Sequence, residues 1–132
     1  MENPSIKQRR YEEERRKAET LYSMIGIIWC PVLHEYINFN RTGFEHLMRR
    51  GVKWRSKGDQ MRRFKLVKYA EKIVCDEKSN FIERGGRNGN CISMRFWAIS
   101  QTIDDYAITV VIRQTKMGQK HFFSIYNQKT AK

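Results

Sequence analysis

The chain has 132 residues, 26 Lys and Arg against 14 Asp and Glu, a formal net charge of +12 and a pI near 9.9. That length suits one domain, and 40% hydrophobic with 12% aromatic residues is enough for a packed core, which argues against a disordered chain. The longest apolar run, Met24 to Cys30, is seven residues, far short of the roughly 20 that span a bilayer.

The first twenty residues balance charge, and residues 5–22 read as a helix capped by Ser5, with Glu12–Arg16 and Glu13–Lys17 as i,i+4 pairs. Its apolar stripe (Ile6, Tyr11, Ala18, Leu21) is thin, so a surface position is expected. This charged helix, residues 1–24, is set apart from an α+β domain over 25–132. Residues 24–30 and 35–39 are strand-like, separated by Pro31, with Ile37 and Phe39 on one side. Thr42-Gly43-Phe44-Glu45 matches a capping box and Gly51 a C-terminal stop, which predicts a helix over 43–50. Such a helix turns Phe44, Leu47 and Met48 inward and His46, Arg49 and Arg50 outward. Ser56 caps a second predicted helix over 57–75, in which Met61, Phe64, Val67, Ala70 and Val74 recur at three- and four-residue steps. Residues 76–90 lose periodicity, and the Gly-rich run 85–90 lacks the spacing of a phosphate loop. Residues 91–100, 106–115 and 120–126 are β-branched and aromatic, a three-stranded antiparallel meander. N-terminal helices followed by a C-terminal meander make the fold class α+β.

Charge is concentrated in two blocks. Residues 41–70 carry ten basic groups against Glu45 and Asp59, and residues 113–132 carry five basic groups and no acid. Blocks of this kind attract a polyanion and make its binding salt-dependent. Arg49, Arg50, Trp54, Arg55, Arg62 and Arg63 are the candidate nucleic-acid contacts. In the last hairpin, a 116–119 loop sets Arg113 opposite Phe122 and Val111 opposite Ser124. One face then holds Arg113, Thr115, Lys120, Phe122 and Ser124. A one-residue shift brings His121, Phe123 and Ile125 there instead.

The acidic residues do not gather as a two-metal nuclease requires. Cys30-x3-His34 has ligand-like spacing but is interrupted by Pro31, and Cys30, Cys75 and Cys91 show no CxxC pattern. No GxSxG elbow occurs. No metal or cofactor is therefore expected. RNA cleavage through the 2′-OH demands less: an acid–base pair and cations at the phosphate. His46, Arg113, Lys120, His121 and Ser124 supply such a set. Phe122 or Trp54 could stack on a base.

The succession Trp29-Cys30-Pro31-Val32-Leu33, Phe39-Asn40-Arg41-Thr42-Gly43-Phe44-Glu45-His46-Leu47, the bridging segment Arg55 to Leu66, Val110-Val111-Ile112-Arg113 and Lys120-His121-Phe122-Phe123-Ser124 resembles small proteins of the barnase–EndoU–colicin–RelE fold. The likeness is to their phage and mobile-element branches. It covers residues 29–126 and implies a metal-independent RNase, often toxin-like, acting on tRNA or other structured RNA and leaving a 2′,3′-cyclic phosphate. It implies His46 from the helical half, Arg113 from the penultimate strand, and Lys120 with Ser124 from the last. It also implies an acidic antitoxin or immunity protein as partner. The competing expectation is a non-catalytic basic nucleic-acid-binding module or regulator. No apolar leader follows Met1, so the expected compartment is cytoplasmic, without a membrane partner.

Overall fold

The computed structural model describes residues 4–84, 95–114 and 118–130. The Gly-rich run 85–90, Cys91 and Thr115 lie outside them. The chain forms α1 (Pro4–Ser23), β1 (Ile27–Cys30), β2 (Glu35–Asn38), α2 (Arg41–Glu45), β3 (Arg49–Arg50), β4 (Lys53–Trp54) and α3 (Lys57–Leu66). A 3-10 turn (Val67–Tyr69), α4 (Ala70–Cys75), β5 (Asn80–Arg84), β6 (Arg95–Ile103), β7 (Tyr106–Gln114) and β8 (His121–Lys129) complete it. Six strands make one sheet in the order β1-β2-β8-β7-β6-β5. Every pairing is antiparallel except β2 with β8, which run parallel through Asn38 and His121. The fold is α+β, as the sequence suggests, and among the described residues no helix is long and apolar enough to cross a membrane.

One sheet face is apolar. Ile37, Ile99, Val110, Ile112, Phe122 and Ile125 are fully buried there, with Phe44, Leu47, Val67, Ile73 and Val74 from the helical layer. Helix α1 contributes more than its thin stripe suggests. Tyr11, Ala18 and Tyr22 are buried, whereas Ile6 and Leu21 are exposed. These three recur at seven- and four-residue steps, so one line of the helix docks while its charged remainder faces water. Tyr22 packs against Phe39, Phe44 and Phe122. On α1, Lys17 pairs with Glu14 at 3.8 Å rather than with Glu13, and Glu19 pairs with Arg41.

Helix boundaries differ from the sequence reading in two places. The Asn40 side chain, not Thr42, caps α2, accepting from the Gly43 amide at 3.0 Å. Residues 49–50 leave the helix to pair with 53–54 around Gly51, whose φ of 65° opens a two-residue turn rather than ending a helix. The predicted 57–75 helix begins where expected, with Ser56 Oγ accepting from the Asp59 amide at 3.1 Å. It is interrupted by the 3-10 turn, and Leu66, Val67, Ala70 and Ile73 are buried across the break. Strand β5 was not expected. At the β6–β7 turn, Asp104 and Asp105 both hold positive φ (50° and 68°), the pattern of a two-residue hairpin loop.

Hairpin register decides the site. Arg113 lies opposite His121, not Phe122; Ile112 lies opposite Phe122; Val111 lies opposite Ser124 as expected. A β-bulge between Val111 and Ile112 reconciles these, since one extra residue of β8, Phe123, has no partner. Both predicted registers are thus half realised. His121 shares a face with Arg113, while Phe122 and Ile125 are both buried in the core.

Candidate active site around Arg113 and His121

Row by row, the pairings Ile27↔Asn38↔His121↔Arg113↔Phe96 cross the sheet from β1 to β6. Paired residues point to one face, and this row lies opposite the face that buries Ile37, Ile112 and Phe122. The parallel β2–β8 contact joins residues 83 positions apart into that row.

Arg113 Nε donates to His121 Nε2 at 3.2 Å. His121 Nδ1 faces the Gln119 carbonyl at 3.4 Å, so the neutral ring carries its proton on Nδ1 and offers Nε2 to the guanidinium. The guanidinium also lies over the Phe123 ring, 4.7 Å from its centroid. Phe96 meets that ring edge-on at 5.5 Å. On Phe123 rests His46, with ring centroids 4.3 Å apart. His46 sits at the C-terminal end of α2, where its amide bonds the helix carbonyls, and its own carbonyl accepts from Arg55 Nε at 3.1 Å. His46, Phe123, Arg113, His121 and Phe96 therefore form one contiguous cluster.

The cluster is cationic and half-buried, and its proton affinities follow. Burial lowers the His46 pKa to about 4, assisted by repulsion from Arg113, His121, Arg55 and Arg49. Burial likewise lowers His121, with Arg113 adding to the shift and the Gln119 carbonyl opposing it. Burial also pulls the Arg113 guanidinium below its ordinary value. Among the described residues His46 Nε2 is buried without a hydrogen-bond partner; such an atom costs roughly 1–3 kcal/mol relative to a satisfied one.

The low His46 pKa has a stability consequence. The unfolded imidazole titrates near 6.5 and the folded one near 4, so between those values the unfolded chain binds more protons. Stability then rises with pH across that window and is lost as pH falls from about 6.5 towards 4. Urea unfolding of wild type and His46→Asn at several pH values between 4 and 7 is expected to show a shallower pH dependence in the variant.

Other predicted residues lie elsewhere. Lys120 is buried, paired through Nζ with Glu35 at 2.5 and 2.6 Å and placed 4.4 Å from the centroid of the Trp97 ring. It tethers β2 to the last hairpin. Lys120→Ala is expected to lower stability by about 1–2 kcal/mol, between an exposed and a buried pair, in a denaturation measurement. Ser124 Oγ accepts from Arg63 at 2.8 Å, and Arg63 also donates to the Ile125 carbonyl at 3.1 Å. Arg63 thereby ties α3 to β8 beyond the Asn38–His121 pairing with β2. Asp59 gathers Arg55, Arg62 and Arg63. Arg62 is exposed, whereas Arg55 and Arg63 are mainly structural braces. Phe122 is fully buried and cannot stack on a base.

Arg49, Arg50, Lys53 and Trp54 form the exposed β3–β4 hairpin beside the cluster. Trp54 is 66% exposed, and the Arg49 guanidinium lies 5.6 Å from its ring centroid. Sequence reasoning missed Phe96 and Asn38. Both follow from cross-strand register, which composition does not reveal. Comparison with protein-family models, curated proteins and solved structures gave no match.

Proposed function

We propose that this protein is a metal-independent endoribonuclease whose centre is Arg113, His121 and His46, with the β3–β4 hairpin holding the RNA backbone. The carrying observation is the guanidinium of Arg113 bonded through Nε to the His121 imidazole and lying over the Phe123 ring, on which the His46 imidazole rests; among the described residues no other hydrogen bond of Arg113 is seen. That leaves the Arg113 fork to meet phosphate oxygens. Among the described residues Arg113 makes no ion pair, which leaves its charge for an anion.

In this reading Arg113 binds the scissile phosphate. A bound anion raises both imidazole pKa values, offsetting the cationic repulsion that lowers them. His46, held neutral by burial, takes the 2′-OH proton on Nδ1, because its Nε2 is enclosed. O2′ then attacks phosphorus, and the P–O5′ bond breaks. His121 Nε2, released from Arg113 Nε when the guanidinium turns to the phosphate, becomes protonated and gives that proton to the departing 5′ oxygen. The products are a 2′,3′-cyclic phosphate and a 5′-hydroxyl. Toxin-like use, with an acidic partner masking the cationic face, fits the charge of the site.

A second reading, a nucleic-acid-binding module without cleavage, is favoured by the exposed cations and Trp54 of the hairpin. Incubation of total tRNA with purified protein in excess EDTA separates the two. Cleavage lost in His121→Ala supports the enzyme. Salt-sensitive binding with no cleavage supports the module.

A further inference from the structure

The face carrying Arg113 and His121 continues onto the β1–β2 hairpin. The pairs Ile27↔Asn38 and Trp29↔Tyr36, joined to His121 through Asn38, place Ile27, Trp29, Tyr36 and Asn38 on that same face. Cys30 and Ile37 turn the other way, into the core. Trp29 is 44% and Tyr36 57% exposed. Their rings lie 5.0 Å apart at 69°, and His34 meets Trp29 edge-on at 5.9 Å. His34 holds a φ of 55°, a left-handed conformation that L residues rarely adopt. One strand across and two residues along put Tyr36 about 8 Å from His121 at the backbone.

We propose that Trp29 and Tyr36 form a stacking subsite for unpaired bases of an RNA whose phosphate sits at Arg113. The inference rests on the ribonuclease reading for what occupies Arg113, and it adds where the neighbouring nucleotides lie. Charge complementarity selects the occupant. Between the rings and Phe96 the row holds Asn38, His121 and Arg113, with no acid. An apolar protein surface covering the rings would also have to strip water from the guanidinium without compensating it. A single strand supplies both halves, an anion for Arg113 and flat bases for the rings, and stacking of this kind tolerates any sequence. Bases locked in a duplex cannot reach the rings, so the subsite selects loops and single-stranded segments.

The test uses the full chain and a dye-labelled 2′-O-methyl hexanucleotide, which cannot be cleaved through its 2′ oxygen. Affinity is read by fluorescence anisotropy. Trp29→Ala and Tyr36→Ala are each expected to weaken the hexamer by roughly five- to a hundredfold, as loss of one stacked base does. Trp29→Phe should keep most of the affinity, and a dinucleotide, too short to span both places, should bind all forms alike. Both side chains are exposed, and circular dichroism confirms that the variants fold. Unchanged hexamer affinity, an equal loss for a duplex, or a dimer that the ring variants dissociate without affecting RNA would overturn the subsite. The two proposals fail separately. Ring-dependent binding without any cleavage removes the ribonuclease and keeps the subsite. Cleavage lost in Arg113→Ala with ring variants binding as wild type does the reverse.

Discussion

Arg113→Ala and His121→Ala are each expected to reduce RNA cleavage by about 10²–10⁴-fold, the range for losing a preorganised phosphate donor or a general acid. The two residues act as a unit through the 3.2 Å Nε–Nε2 bond, so the double variant should lose little more than either single one. Arg113→Lys is the sharper probe. It keeps the charge but removes both the Nε donor that orients His121 and the fork that grips two oxygens. Its activity is expected to lie near that of the alanine variant. Neither position contributes to the buried apolar face, so urea midpoints should move little. Single-turnover rates with unfolding curves check both statements.

Gly43→Ala is expected to destabilise the fold severely, although alanine is the better helix former by up to about 1 kcal/mol. A Cβ at Gly43 would lie 2.5 Å from the Phe122 carbonyl oxygen and 2.5 Å from Tyr22 Oη. The first is backbone of β8. The second is the hydroxyl of a buried ring that donates to the Asn40 carbonyl at 2.7 Å. Neither can move without opening the packing of Tyr22, Phe39, Phe44 and Phe122. A loss of about 3 kcal/mol, the upper end of core overpacking, is expected by chemical denaturation. Activity should fall with it, because α2 carries His46 to Phe123. Gly43 is thus required by close approach and not by its backbone angles.

Local signals in this sequence read well. Ser56 caps where expected, the 57–75 periodicity finds the helical core face, and the C-terminal strands alternate as a meander. Signals that depend on competition between neighbours read less well. Asn40 outcompetes Thr42 for the α2 cap, and Gly51 turns a hairpin instead of ending a helix. For the site, residue types pointed to His46, Arg113 and His121, but not to their geometry. The Phe123 bulge lets β8 present His121 beside Arg113 while still burying Phe122 and Ile125, an outcome that neither unbroken register yields. The parallel β2–β8 pairing adds Asn38, Tyr36 and Trp29 to that face across most of the chain length. Lys120 looked like a phosphate ligand by type, and only Glu35 and Trp97 reveal it as a tether.

The central claim is cleavage through the RNA's own 2′-OH by the Arg113–His121–His46 cluster. The most direct measurement maps a cut site in EDTA, then compares that oligoribonucleotide with one carrying a single 2′-deoxy nucleotide on the 5′ side of the scissile phosphate. The account predicts a 2′,3′-cyclic phosphate end from the first and no cut at that position in the second. Equal cleavage of both, or cleavage that appears only when a divalent cation is restored, would contradict it.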